Sequence, residues 1–276
     1  MASPPARDRN SMSLTTTPAC STLQRDGVAA EMVESVQIKV DDAHTVSGLL
    51  QLPDRPIACL VLAHGAGAGM DHPFMAAVAE GLHARRIATL RYQFPYVERG
   101  LKRPDQPPLA QRTVRAAVRA GGQLAPGLPA FAGGKSFGGR MTSQAQAEDP
   151  LPEIRGLVFL GFPLHPANRP SPARAEHLFR VRVPMLFVQG TRDKLADMAL
   201  LTALIGRLGP DTIFKPIDDA DHSFHCPARS GRQDAQVLDE VSDAAAGWMA
   251  RITHGAHETA ATRQVFPQAS HPDRSV

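Results

Sequence analysis

Cysteine is scarce in this 276-residue chain: Cys20, Cys59 and Cys226 are all it has. An odd number with no metal-ligand spacing argues against a disulfide framework or a structural metal site. It points to a reducing, cytoplasmic setting, with Cys59 inside an apolar strand and expected in the core. No apolar run is long enough to span a membrane. The N-terminal stretch lacks the apolar core of a secretory signal. Charge of one sign is not in surplus either. The formal net charge is +3, and the arginines are scattered rather than clustered. Neither a nucleic-acid nor a membrane partner is therefore expected. Internal repeats are missing too.

What is present is the composition of an ordinary soluble protein, long enough for one α/β domain with a large core. Residues 1–31 are rich in Ser, Thr, Pro and Arg without periodicity, and read as a disordered extension. Residues 254–276 read as a disordered tail, which leaves 32–253 as the folded unit. Strands and helices alternate within it. Residues 35–40 and 45–52 open as a pair of strands, and "IACLVLAHG" (57–65) is a continuous apolar strand. Asp71 and Pro73 start a helix to about Ala84, followed by the strand "RIATLRYQF" and a helix expected to stop at Gly121-Gly122. Further strands are expected at 128–133, 154–163, 183–193 and 212–224, and helices from the second glycine cluster to Glu148, over 197–208 and over 233–252. Such alternation means a mostly parallel sheet with helices on both faces. Ligands then bind at the carboxyl ends of its strands.

The stretch "FAGGKSFGGRM" (131–141) contains two competing motifs. Gly-Lys-Ser could end a phosphate-binding loop. That loop needs a glycine at 129, where the chain has Pro129, with no N–H to offer a phosphate. The apolar run from Leu128 also reaches Ser136 too soon to leave room for a cradle. The other motif is Gly-x-Ser-x-Gly, a strand-to-helix turn that presents a serine nucleophile and needs small residues two before and two after it. Gly134 and Gly138 meet that need. Lys135, between them, either faces solvent or holds an acidic group near the site.

Partners for Ser136 follow at later strand ends. Asp193 closes "FVQGTRD" and His222 follows the last strand in "DDADHSF". The order Ser136, Asp193, His222 is that of an acyl-transfer triad on such a sheet. A serine hydroxyl is a poor nucleophile at neutral pH, so a histidine must take its proton and a carboxylate must orient that histidine. Asp218, Asp219 and Asp221 also crowd His222, and His225 is a rival base. Asp197 is the better cap for the following helix. The loop "HGAGAGMDH" (64–72) follows the central strand, and its small residues leave backbone N–H groups exposed. The N–H of Ala66 or Gly67, with that of Phe137, would form an oxyanion hole. His64 beside this loop reads as structural. A dinucleotide fingerprint does not fit, because the glycine spacing is wrong and no acid closes the next strand. No cofactor and no metal are called for.

Taken together, "LAHGAGAGMDHPFM", "RYQFPY", "GGKSFGGRM", "FLGFPLHP", "PMLFVQGTRD" and "ADHSF" make the chain resemble the α/β-hydrolase superfamily. More narrowly, it is similar to the KANL3/Tex30-type hydrolase-like family, near dienelactone hydrolases. The resemblance covers residues 45–250 and implies an α/β-hydrolase fold with an eight-stranded sheet and Ser136, Asp193 and His222 as the triad. Dienelactone hydrolases proper carry a cysteine where this chain has Ser136, so their substrate does not transfer. Some members of the family resemble scaffold subunits, which makes a non-catalytic interaction module the alternative to an enzyme. Only 164–182 separates the sixth strand from the seventh, too short for a cap domain. The expected activity is that of a serine hydrolase on a small ester, thioester or lactone. Its open site would be lined by Tyr92, Phe162 and His165, with Phe94 and Tyr96 as further candidates.

Overall fold

A computed structural model describes residues 33–265. The expected extension at 1–31 and the end of the expected tail, 266–276, lie outside the described residues. Eight strands form one sheet: β1 (Val33–Lys39), β2 (Thr45–Gln51), β3 (Ala58–Ala63), β4 (Ile87–Tyr92), β5 (Ala130–Lys135), β6 (Ile154–Leu160), β7 (Met185–Gly190) and β8 (Thr212–Ile217). Their order is β1-β2-β4-β3-β5-β6-β7-β8. β2 pairs antiparallel with β1 and β4, and every other pair is parallel. This is the mostly parallel, eight-stranded α/β architecture that the alternation and the resemblance led us to expect.

The continuous apolar strands are explained by two cores. Side chains on a strand alternate between faces, so a strand covered on both sides must be apolar throughout. In β3, Leu60 and Leu62 join one core while Val61 and Ala63 join the other. β7 divides likewise, with Leu186 and Val188 against Met185 and Phe187. Helices α1 (Pro73–His83) and α6 (Asp234–Val265) cover the first core. Helices α3 (Pro107–Leu124), α4 (Phe137–Glu148) and α5 (Met198–Leu208) cover the second, and α2 (Pro95–Glu98) is a single turn. Between β6 and β7 the chain forms only a loop and a short 3-10 stretch, Ala173–Arg180, so there is no cap domain.

The strands expected at 154–163, 183–193 and 212–224 end earlier, at Leu160, Gly190 and Ile217, and two helices end later than the sequence reading placed them. α3 passes through Gly121 and Gly122 to Leu124. Gly121 is no stop signal: it lets the helix lie close to β3, where a Cβ would sit 2.7 Å from Val61 Cγ2. α6 continues past the expected end near Ile252 to Val265, so helical backbone enters the stretch read as a tail. The Ala, Glu, Gln and Arg content of residues 254–265 supplies the helix propensity that this reading overlooked.

The two glycines of α3 make opposite predictions for one substitution. At Gly122 nothing lies within 4 Å of an added Cβ, so Gly122→Ala should stabilise the fold by about 0.5–1 kcal/mol through helix propensity. Gly121→Ala makes the same gain, but overpacks Val61 at a cost of about 1–3 kcal/mol. Urea denaturation should therefore order the proteins Gly122→Ala, wild type, Gly121→Ala from most to least stable.

Candidate active site

The Gly-x-Ser-x-Gly motif forms the turn between β5 and α4. Ser136 has φ 49° and ψ −112°, in a region that costs a non-glycine residue about 1–3 kcal/mol. Both flanking glycines are sterically required. A Cβ at Gly134 would lie 2.3 Å from the Ala63 carbonyl oxygen, and one at Gly138 would lie 2.6 Å from that of His64. These are backbone atoms that no rotamer change can move away. The turn lifts the Ser136 side chain above the sheet, at the carboxyl ends of the strands.

Asp193 and His222 come to Ser136 from the loops after β7 and β8. His222 Nδ1 donates to Asp193 Oδ2 at 2.6 Å, and His222 Nε2 lies 2.9 Å from Ser136 Oγ. With Nδ1 carrying the proton, Nε2 is left to accept from the serine hydroxyl. The Asp193 side chain is fully buried, and its carboxylate is held on both oxygens. Gln189 Nε2 donates to Oδ2 at 2.5 Å, and the Leu195 N–H donates to Oδ1 at 2.7 Å. Such a chain can pass a proton from serine to imidazole while the buried carboxylate keeps the ring in one tautomer.

Asp221, His225 and Asp197 are engaged elsewhere. Asp221 Oδ1 accepts the N–H groups of Ser223 and His225, which shapes the loop that carries His222. His225 pairs with Asp234 on the surface at 2.9 Å. Asp197 caps α5 by accepting from the Leu200 N–H at 2.9 Å, as expected. A second serine–histidine contact joins Ser143 Oγ to His177 Nε2 at 2.8 Å. Among the described residues, no carboxylate pairs with His177. Burial first, then the cations of Arg140 and Arg180, pushes it down to about 4, and the pair lies outside the cavity described below. It ties α4 to the Ala173–Arg180 stretch.

The glycine loop after β3 sits beside Ser136. The Gly67 N–H donates to the Tyr96 hydroxyl at 3.2 Å and is thereby occupied. Among the described residues, the N–H groups of Ala66 and Phe137 make no hydrogen bond. Both N–H groups are therefore free to bind an acceptor. The loop is held by its neighbours: Gln93 Oε1 accepts from the Met70 N–H at 3.0 Å, and Arg91 Nη1 donates to the Met70 carbonyl at 3.1 Å. His64 is structural, as expected. It donates from Nδ1 to the Gly65 carbonyl at 2.8 Å and accepts the Phe94 N–H at Nε2, and burial pushes it down to about 4.

A cavity of about 390 Å³ opens over Ser136 and His222. Its apolar wall is Phe74, Met75 and Leu195, and Ala66 and Ser223 close its rim. The residues expected to line it do not. Tyr92 and Phe162 are each 1% exposed and belong to the core under α3–α5. His165 is 3% exposed, with Nδ1 donating to the Pro166 carbonyl and Nε2 accepting the Asp197 N–H. Sequence adjacency to strand ends marked them, but their side chains point down into the sheet's packing. Phe74 and Met75, on the first turn of α1, carried no motif that singled them out. Lys135 neither faces open solvent nor pairs with an acid: its Nζ donates to the carbonyl of His222.

Residues 56–250 match a family model described as an alpha/beta hydrolase domain, and the chain belongs to that family. Among solved structures it is similar to a dienelactone hydrolase from Anabaena variabilis. That match has 22% identity and a TM-score of 0.65, over 80% of this chain and 98% of that one. It is also similar to an α/β serine hydrolase without a lid from Xanthomonas campestris, with 18% identity and a TM-score of 0.61 over 81% and 98% of the two chains. The esterase domain of a Rhodothermus marinus protein matches with 18% identity and a TM-score of 0.61 over 80% and 98%.

Relocating Phe162 from the site to the core predicts what its removal does. Phe162→Ala should cost about 3–5 kcal/mol of stability in chemical denaturation, as cavity-forming aromatic truncations do. Phe74→Ala opens the cavity wall, and at matched stability it should change KM among esters of different acyl length more than Phe162→Ala does.

Proposed function

We propose that the protein is a serine hydrolase that cleaves a small carboxylic ester, thioester or lactone through an acyl-enzyme on Ser136. One observation carries the reading: a serine on a strained turn, a histidine and a buried carboxylate lie in unbroken hydrogen-bond contact beneath an apolar cavity. A structural role gives no reason to hold a serine in that backbone conformation, which argues against a non-catalytic module. The proposed sequence of steps follows from the contacts. His222 Nε2 takes the Ser136 proton as Oγ attacks the carbonyl carbon, and Asp193 stabilises the imidazolium. The Ala66 and Phe137 N–H groups meet the oxyanion, and His222 returns the proton to the leaving oxygen or sulfur. Water then enters by the same route and releases the acid.

The esterase and serine-hydrolase descriptions of the structural neighbours agree with this reaction class. The cavity volume suits a small acyl group, and its apolar wall suits a neutral one. The finer KANL3/Tex30-type membership belongs to the same reading and rests on the run of motifs from the glycine loop to "ADHSF". The cytoplasmic setting is part of the same reading and rests on the scarcity of cysteine; the domain start near residue 32 is kept, and its end moves beyond 253 with α6. Among the described residues, no helix is long and apolar enough to cross a membrane.

A fluorophosphonate probe should label the wild-type protein and fail to label Ser136→Ala. Hydrolysis of p-nitrophenyl acetate should fall by up to about a million-fold in Ser136→Ala and by about 10⁴-fold in Asp193→Asn, where the wrong imidazole tautomer is favoured. Asp221→Asn should retain most activity. Unchanged hydrolysis by folded Ser136→Ala would refute the mechanism.

A further inference from the structure

Lys135 is the one residue of the nucleophile turn to which this mechanism gives no role. Its side chain runs under the glycine loop, with Cγ 3.4 Å from where a Cβ on Gly65 would sit. Its Nζ ends against the backbone of the loop after β8, donating to the His222 carbonyl at 2.5 Å. Two aromatic rings flank the ammonium, with centroids 5.7 Å away for Phe74 and 5.5 Å for Phe224. No carboxylate lies within 4.0 Å of it among the described residues. The acids that act on it through space are Asp193, after β7, and Asp221, after β8. His222 is bonded to it, and His72, Ser136 and Ser223 border the same cavity.

The arrangement joins two parts that must stay in register. Ser136 is fixed by its turn. His222 sits in a loop shaped by Asp221, and Phe224 in that loop has φ 63°, which a bulky residue seldom holds. The geometry points to Lys135 as a positioning residue for the base: its cation grips the His222 carbonyl and holds the imidazole in line between Asp193 and Ser136. A charged donor makes this grip roughly twice as strong as a neutral one, and the two rings add cation–π attraction. The inference rests on the serine-hydrolase reading and adds to it a part that the Ser-His-Asp scheme does not contain.

Burial pushes the Lys135 ammonium down to about 8, against which Asp193 and Asp221 act more weakly. The consequences for activity and stability have opposite signs. As pH rises through about 8, the grip loses its charge and kcat falls. A lysine whose folded-state value is depressed destabilises the fold while it is charged, so stability rises over the range from about 8 to about 10.5. A side chain that served only packing would not move the two in opposite directions.

The test compares wild type with Lys135→Met, which keeps an unbranched apolar stem and removes the terminal ammonium. Both are assayed with p-nitrophenyl acetate from about pH 6.5 to about pH 9.5, alongside thermal melting. At neutral pH, Lys135→Met should lose about 10- to 100-fold in kcat, the penalty of a misplaced catalytic group, with KM little changed. It should melt no lower than wild type. The kcat ratio of the two proteins should shrink toward one above pH 8, as the wild type loses its own charge. An unchanged kcat in Lys135→Met, or a ratio constant across the pH range, overturns the role. If Lys135→Met does not fold, the wild-type profile decides alone: a kcat that holds level through pH 8 overturns the role, and a fall there with rising thermal stability supports it. Fluorophosphonate labelling of the wild type separates this inference from its foundation. A labelled wild type with an unaffected variant removes Lys135 only, whereas an unlabelled and inactive wild type removes the hydrolase reading and this role with it.

Discussion

Ser136 keeps its unfavourable backbone because β5 and β3 approach with no side chain between them at the turn. The carbonyl oxygen of Ala63 occupies the space that a Cβ on Gly134 would need, and that of His64 does the same for Gly138. Backbone atoms in a hydrogen-bonded sheet cannot step aside as side chains can, so the sheet and the first turn of α4 impose the conformation between them. Everything else at the site is arranged around that fixed oxygen. The loop after β8 meets a similar constraint: a Cβ on Gly190 would lie 2.3 Å from the Ala220 carbonyl oxygen, so the loops carrying Asp193 and His222 can close on each other.

Polar groups near the reacting atoms divide into those that are spoken for and those left free. Tyr96 takes the Gly67 N–H, Gln93 takes that of Met70, and His64 takes that of Phe94. The glycine loop is thereby pinned along its length, while among the described residues the N–H groups of Ala66 and Phe137 stay unbonded. Electrostatic stabilisation of a developing charge depends on this preorganisation, since donors already aimed need no reorientation when the charge appears. The Asp193 carboxylate shows the same division, because Gln189 and Leu195 hold it before His222 arrives.

Much of this was legible in the sequence, for identifiable reasons. The order Ser136, Asp193, His222 could be read because each residue follows a strand; β5 and β7 are buried and apolar, while β8 is a half-exposed edge strand recognised by its place in the alternation. Asp197 could be separated from Asp193 by its place at a helix start. The cavity wall could not be read. Whether an aromatic residue after a strand points into a pocket or into the core depends on side-chain direction, and Tyr92, Phe162 and His165 all point inward. Ala66 differs from Gly67 because the Gly67 N–H donates to the hydroxyl of Tyr96, 29 residues away in sequence. Glycines were misread at α3 because the same residue that ends a helix also permits a close crossing. Lys135 carried a strong local motif for the wrong chemistry, and only the position of the His222 carbonyl, 87 residues later, explains its orientation.

The pairing of Ser136 with His222 spans 86 residues and depends on β6, β7 and finally β8 at the sheet's edge. A growing chain therefore contains the Ser136 turn long before it contains His222. Contacts of such separation must overcome loop-closure entropy and form slowly in a parallel sheet. On the proposed mechanism, Ser136 has no general base until β8 docks and brings His222 within reach. On that mechanism reactivity would arrive with the completion of folding, and the appearance of probe-reactive serine during refolding would time the last strand's entry into the sheet.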